Sequence, residues 1–233
     1  MLKKELNDII DVWIKIKRFL KILNNFNNMT KQFYENYWDG QSDYLSDFGL
    51  KWPKLKKFIP LDNNITIVDF GCGNGKILEE IRKINSNAKL IGLDVSETAL
   101  QQAKRDLPGI EFYKINDGEK FPLNNDCVDF IFSSEVIEHI YDVENAFKEI
   151  ARILRPGGRI LFTTPYHGFF KNLLITLFAF NKHFNPTGAH IRFFSKKTLL
   201  DLLDKNNFKA IKIGYYGRFF SIPHSIFILT EKN

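Results

Sequence analysis

Two clusters in this sequence combine residue types and spacings that could do chemistry. The first is Asp69-Phe70-Gly71-Cys72-Gly73-Asn74-Gly75, an acid followed by alternating glycines. Such glycines take positive φ cheaply and let a ligand approach the backbone closely. The second is Glu135-Val136-Ile137-Glu138-His139. If that run is helical, Glu135, Glu138 and His139 share one face at i, i+3 and i+4. Two carboxylates and an imidazole could then hold a divalent cation. Without a cation, His139 is a candidate general base, because imidazole titrates near neutrality. The alternative is a pair of solvated or capping glutamates, with His139 packed beside whatever the glycine turn binds. His190, in Gly188-Ala189-His190-Ile191-Arg192-Phe193, would supply a fourth metal ligand. His167, after Thr163-Thr164-Pro165-Tyr166, is a second candidate base or an exposed loop histidine.

The glycine spacing separates three kinds of nucleotide loop. A P-loop needs G-x-x-x-x-G-K followed by Ser or Thr. Here only three residues separate Gly71 from Gly75-Lys76, and Ile77 follows. A dinucleotide fingerprint needs G-x-G-x-x-G, whereas Lys76 occupies the place of the third glycine. D-x-G-x-G-x-G remains.

The elements that must position these residues follow from hydrophobic rhythm. Residues 2–24 read as an amphipathic helix, with Leu2, Leu6, Ile9, Trp13, Ile16, Leu20 and Leu23 at helical spacing. A short segment with Tyr34, Tyr37 and Trp38 follows. From Ile65 strand and helix alternate, which predicts a parallel, doubly wound sheet. Strands are expected near 65–70, 89–94, 110–115, 128–133 and 159–164. Helices are expected near 76–85, 97–105, 143–154, 169–180 and 196–206. Gly157-Gly158 is expected to end the helix before the fifth strand. Two final strands, near 208–213 and 225–230, should pair antiparallel. The expected architecture is an α/β, Rossmann-like, seven-stranded sheet, mostly parallel with an antiparallel last strand, helices on both faces and an N-terminal helical cap. The expected division is a cap or lid over 1–60 and a main domain over 61–233, with an apolar lid insertion at 166–192.

Acids mark further strand ends. Asp94 closes Leu90-Ile91-Gly92-Leu93-Asp94, where a carboxylate can accept both hydroxyls of a ribose. Asp117, in Asn116-Asp117-Gly118, could accept a hydrogen bond from a purine's exocyclic amine or simply form a turn. With these in place, the sequence resembles class I S-adenosylmethionine-dependent methyltransferases over about residues 65–230. The matching pieces are Val68 to Gly75, Asp94, Asp117, Val128-Asp129-Phe130-Ile131-Phe132-Ser133 and Leu154-Arg155-Pro156-Gly157-Gly158. The resemblance implies S-adenosylmethionine as cofactor. It assigns the glycine turn to the methionine side, Asp94 to the ribose and Asp117 to the adenine. Asp69, Cys72, Val95, Asn116, Ser133 and Ser134 join them as implied cofactor-binding residues.

Members that methylate the exocyclic amines of bases carry Asn or Asp, then Pro-Pro, then an aromatic after the fourth strand. Ser133-Ser134-Glu135 stands there instead. The E-x-x-E-H pattern is similar to ubiquinone-type O-methyltransferases and to small-RNA 3′-end methyltransferases. In both it implies a metal, Mg2+ or another divalent cation, that binds the acceptor hydroxyl; Glu135, Glu138 and His139 would hold it here, with His190 as the fourth ligand. The expectation is O-methylation of a hydroxylated small molecule, lipophilic or glycan-linked, with Tyr34, Tyr37, Trp38, Tyr166, His167 and His190 around the substrate. RNA methylation and a non-catalytic cofactor-binding partner module are the alternatives.

Composition bounds these readings. A chain of 233 residues with 44% hydrophobic and 15% aromatic residues predicts a packed globule rather than disorder. The net charge of +6 suits an anionic partner, whether nucleic acid, lipid or metabolite. The lysines are scattered, so nucleic acid is the weaker expectation, and no RNA-binding module is evident. Cys72 and Cys127 are too few for a disulfide framework and point to reduced, cytoplasmic thiols. No signal peptide is visible. The apolar run Phe169–Phe180 is too short to span a bilayer, but beside Lys171 and Lys182 it could dip into a membrane interface. A helix packed on the sheet is the other reading. Oligomeric state has no signature in the sequence.

Overall fold

A computed structural model of the chain describes residues 48–184, 190–217 and 223–233, all within one compact unit. The expected helix 2–24 and Tyr34, Tyr37 and Trp38 lie outside the described residues. Helix α1 (Phe48–Leu55) and a 3-10 turn (Lys56–Phe58) lead into strand β1 (Thr66–Phe70). Then come α2 (Lys76–Ile84), β2 (Lys89–Asp94), α3 (Glu97–Asp106), β3 (Glu111–Lys114) and β4 (Val128–Ser134). The second half runs α4 (Val143–Ile153), β5 (Leu154–Pro165), α5 (Phe169–Phe178), α6 (Phe180–His183), α7 (Lys196–Lys205), β6 (Phe208–Tyr216) and β7 (Ser225–Lys232).

The seven strands lie in the order β3-β2-β1-β4-β5-β7-β6. The pairs among β1 to β5 are parallel, and β7 runs antiparallel to both β5 and β6. The expected seven strands and the antiparallel last strand are therefore present. Period-two alternation splits the core between the two faces. On β1, Val68 and Phe70 face a cluster holding Phe147 and Ile150 of α4 and Leu199 and Leu203 of α7. Ile67 faces the other cluster, with Trp52 and Leu55 of α1, Leu78 and Ile81 of α2 and Leu100 and Ala103 of α3. Both faces are thus covered, as a parallel sheet requires.

One boundary differs from expectation. Arg155-Pro156-Gly157-Gly158 does not separate α4 from β5; the strand starts at Leu154 and carries these residues as a bulge. Val128 pairs with Leu154, and two residues later Phe130 pairs with Arg159. Gly157, at φ 74°, supplies the conformation that folds the extra residues out of register.

The strand order reverses between β1 and β4. In open α/β sheets the crevice at such a switch point, beyond the carboxyl ends of the strands, is where ligands bind. The two chemistry-bearing clusters of the sequence sit there, Asp69–Gly75 after β1 and Glu135–His139 after β4.

Candidate active site

The chain leaves β1 through a turn that only glycines build without strain. Gly71, Gly73 and Gly75 have φ of 80°, 51° and 82°. The N–H groups of Gly71 and Cys72 both donate to Leu93 O of β2, at 2.8 and 3.1 Å. A Cβ on Gly71 would lie 2.3 Å from Val136 Cγ2, so the turn and the β4 loop fit against each other only without a side chain there. Asp94, buried at the end of β2, accepts from Gly73 N at 2.7 Å and from Ser96 N at 2.9 Å. Ser96, not Asp94, caps α3 by accepting from Ala99 N. Asp94 thereby fixes the glycine turn while sitting at the strand end expected for a ribose-binding acid.

The floor of the crevice is charged and incompletely satisfied. Asp69 is buried, and its Oδ2 has no hydrogen-bond partner. Burial and the neighbouring Asp94 charge push its pKa up to about 8, opposed by Lys51. Ser133 Oγ is likewise buried without a partner. Burial also pushes the Cys72 thiol well up, reinforced by Asp94 and Asp69, so Cys72 stays a thiol rather than a nucleophile.

Lys51 is a site residue that the sequence reading did not single out. It is 5% exposed, and its Nζ donates to Ser134 Oγ at 2.9 Å. Ser134 Oγ lies 3.1 Å from Thr163 Oγ1, and that hydroxyl donates to Glu135 Oε1 at 2.8 Å. Tyr216 OH donates to the same Glu135 oxygen at 2.8 Å. The relay ties α1, β4, β5 and β6 together across the mouth. Its only sequence signal is the helical spacing of Phe48, Lys51, Trp52 and Leu55 on one face.

The Glu135–His139 run is not an α-helix. Glu135 has φ 56°, and only Ile137–His139 form a single 3-10 turn. The chain must reverse as β4 ends, and Thr163 of β5 takes up Glu135 N through both its carbonyl and its hydroxyl. Glu135 consequently parts from the others and joins the Tyr216–Thr163 network. Glu138, His139 and His190 do converge, with one ligand atom from each all within 4.8 Å. Glu138 is 1% exposed; its Oε2 accepts from Thr164 Oγ1, and its Oε1 has no hydrogen bond and faces His139 Nε2 at 3.8 Å. Burial, then the Glu135 charge, holds the Glu138 carboxyl well above its ordinary range. His190 is delivered by the backbone: Ile191 N and Arg192 N both donate to Glu138 O at 3.1 Å. Arg192 adds bonds from its guanidinium to Ile140 O and Tyr141 O. The His139 and His190 rings stand 4.9 Å apart.

The remaining expected site residues scatter around this mouth. Asp117 accepts from Tyr141 N at 2.6 Å and Asp142 N at 3.2 Å, so it anchors the loop before α4. Asn116 is exposed and donates to Glu119. Val95 packs, half-buried, against the α4/α7 side of the core. Tyr166 stacks edge-on against Tyr215 at 5.0 Å. His167 is buried rather than exposed, with Nδ1 at 3.0 Å from Asn172 Oδ1 and its ring against Phe193 and His183. Burial pulls its pKa down to about 4.

Comparison with known proteins identifies the family. A family model described as a methyltransferase domain matches residues 44–213. A ubiquinone biosynthesis O-methyltransferase of Hydrogenovibrio crunogenus is 28% identical over 177 residues, covering 72% of this chain and 70% of that protein. An uncharacterized 37.1 kDa transposon protein of Streptomyces fradiae is 33% identical over 102 residues, 42% of this chain, and the match spans only 29% of that protein's length. Among solved structures, an S-adenosylmethionine-dependent methyltransferase from Aquifex aeolicus superposes with a TM-score of 0.65 at 16% identity, covering 85% of this chain and 98% of that one. With the motif turn, the strand order and the family match in agreement, the chain belongs to the class I S-adenosylmethionine-dependent methyltransferases.

Proposed function

We propose that this methyltransferase acts on the hydroxyl of a small, lipophilic or glycan-linked acceptor. The observation that carries the reading is Glu138: a buried carboxylate with one unpartnered oxygen, set against His139 and His190 at the carboxyl end of β4. The 28% identical relative from Hydrogenovibrio crunogenus, a ubiquinone biosynthesis O-methyltransferase, lends it support.

The crevice also suits the cofactor. A zwitterion with an added sulfonium charge needs acids, a base and close backbone approach. Asp69, Asp94, Lys51 and the glycine turn offer these, and the unpartnered Asp69 Oδ2 and Ser133 Oγ are groups that a ligand would satisfy. In this reading Asp94 takes the ribose, and Lys51 takes the carboxylate of the methionine part. When bound, S-adenosylmethionine supplies an electrophilic methyl group. The residues then have three tasks. The turn and Asp69 hold the donor in line, where alignment supplies most of the acceleration. His139 receives the proton of the acceptor hydroxyl, and Glu138 stabilises the resulting imidazolium through Nε2. His190 closes the third side. The same three side chains would serve as ligands for a divalent cation, which would lower the hydroxyl pKa.

Turnover with labelled cofactor on phenolic and sugar hydroxyls, with and without magnesium or chelator, tests the reading. Glu138→Gln and His139→Ala should each lower turnover about a hundredfold or more while still binding cofactor. Full activity in both variants, or no turnover on any hydroxyl under either metal condition, sinks it. Loss of turnover on chelation, restored by one added cation, would assign the cluster to a metal.

A further inference from the structure

Ile140, Tyr141 and Asp142 join the His139 turn to α4 without helix or strand, so their peptide groups must find partners elsewhere. They find them in two distant side chains. The N–H groups of Tyr141 and Asp142 donate to the Asp117 carboxylate, twenty-four and twenty-five residues upstream. The carbonyls of Ile140 and Tyr141 accept from Nε and Nη2 of Arg192, fifty-two and fifty-one residues downstream. Ile140 O and Tyr141 N belong to one peptide group, and Tyr141 O and Asp142 N to the next. Two consecutive peptide groups therefore stand between a carboxylate and a guanidinium, each bonded at both ends. Charged partners make such bonds stronger than neutral ones, and bonds in series polarise one another.

Arg192 is also the residue that holds His190 in place. Its own N–H and that of Ile191 donate to Glu138 O at 3.1 Å. Among the described residues, its guanidinium donates only to the two carbonyls just past His139. His190 itself is exposed and lies outside helix and strand. An imidazole on such a segment has several directions open to it. Yet its ring stands 4.9 Å from that of His139, and both offer a ligand atom within 4.8 Å of one on Glu138. The bonds of Arg192 on either side of the turn set that separation, by backbone to Glu138 and by side chain to Ile140 and Tyr141. Lysine could not copy them, because an ammonium on a flexible stem lacks the rigid fork that meets two carbonyls at once.

We propose that Arg192 is a positioning residue that sets His190 against His139 and Glu138, and that Asp117 shares the task by holding the same two peptide groups from the opposite side. The acid that follows β3 then serves the acceptor side of the crevice as well as the adenine side expected of it. A carboxylate has lone pairs enough for both. The proposal rests on the function proposed above for what the histidines do to an acceptor; where their rings stand is measured without turnover.

Nuclear Overhauser contacts between imidazole rings, measured on the whole chain without acceptor, are the test. Wild type should show one contact between His139 and His190 and another between His167 and His183, whose rings stand 5.2 Å apart. Arg192→Ala should lose the first and keep the second, while Arg192→Lys should keep the first in weakened form. Asp117→Asn replaces one acceptor oxygen by a donor and should also weaken the first contact, although Asp117 bonds neither ring. Combined with Arg192→Ala it should change nothing further, because the two side chains hold the same peptide groups. On an acceptor that the wild type methylates, Arg192→Ala should lower kcat roughly a hundredfold with KM for S-adenosylmethionine little changed. A His139–His190 contact that is absent from the wild type, or that survives in Arg192→Ala, overturns the proposal. So does loss of both ring contacts together, which would make Arg192 a residue of general stability. If Arg192→Ala does not fold, a wild-type contact in Arg192→Lys is the overturning result. A contact unchanged by Asp117→Asn overturns the shared role. Absence of turnover on every hydroxyl would sink the proposed function and leave the ring contacts to decide the role of Arg192.

Discussion

At the scale of single residues, the crevice is organised around groups whose charge state depends on what they face. Asp69 is the clearest. Its carboxyl is buried beside Asp94, which holds its pKa near 8, and one oxygen lacks a partner. At pH 7 it therefore carries a proton much of the time. A cationic ligand arriving beside it favours the ionised form, so cofactor binding should release up to about one proton. Calorimetry in two buffers of different ionisation enthalpy measures this directly, and Asp69→Asn should remove the difference between buffers. Identical enthalpies for the wild type would contradict the role given to Asp69. Lys51 acts in the opposite sense, lowering the Asp69 pKa. Neither effect was legible in the sequence, where Asp69 was visible as a motif acid and Lys51 was not singled out. Burial creates the shift, and burial comes from elements distant along the chain.

At the scale of elements, two short connections carry the site, and they differ in how far spacing revealed them. The glycine turn was readable because its conformation is a backbone property: three residues at positive φ need three glycines. Its fit against the β4 loop predicts the effect of one methyl group. Gly71→Ala adds a Cβ 2.3 Å from Val136 Cγ2 at φ 80° and should cost about 2–3 kcal/mol of stability, with cofactor binding lost. Adding Val136→Ala should recover part of the stability, because it relieves the clash but not the left-handed strain. Thermal melting of the two variants checks this, and a fully stable Gly71→Ala protein would refute it. The Glu135–His139 connection was less readable. Its i, i+3, i+4 spacing suggests one helical face, yet Thr163 captures Glu135 and the run becomes a bend and a 3-10 turn. Periodicity reports local geometry only where no neighbouring strand competes for the backbone. The same reasoning covers Arg155–Gly158, where pairing with β4 drew a glycine pair into a strand bulge.

At the scale of the whole molecule, His167 and Asp69 make stability depend on pH in opposite directions. His167 has an ordinary pKa of 6.5 and a folded value of about 4. Between these values the unfolded chain binds a proton that the folded chain does not, so this contribution is lost as pH falls from 6.5 toward 4. Asp69 rises from 3.8 to about 8, so the folded chain binds the extra proton and stability falls as pH rises across that range. The slopes oppose each other between about pH 4 and 6.5; above 6.5 the His167 contribution is constant and the Asp69 slope remains, at up to about 1.4 kcal/mol per pH unit, in the same direction as that of the raised Glu138 carboxyl. Urea unfolding at several pH values should show His167→Asn losing less stability than wild type between pH 6.5 and 4. Parallel curves for the two proteins would contradict the burial argument. The sheet that imposes this burial was anticipated in strand number and in its antiparallel last strand, because each strand announces itself as a short apolar run bounded by turn residues.

By itself, the sequence determined the order of strands and helices, the glycine turn and the acids at the strand ends, since these depend on local propensity and fixed short spacings. It pointed in that way to the methyl donor's class of site. Only the tertiary structure decided the rest. It brought His190 to Glu138 across fifty-two residues of chain through two backbone hydrogen bonds, sent Glu135 to Tyr216, and turned Lys51 inward. It also left the apolar face of α5 outward, although the sequence would equally have allowed a helix packed on the sheet. The physical reason is common to all four. Which groups meet, and which remain exposed, is set by the strand order β3-β2-β1-β4-β5-β7-β6, and strand order follows from packing among distant elements rather than from any local spacing.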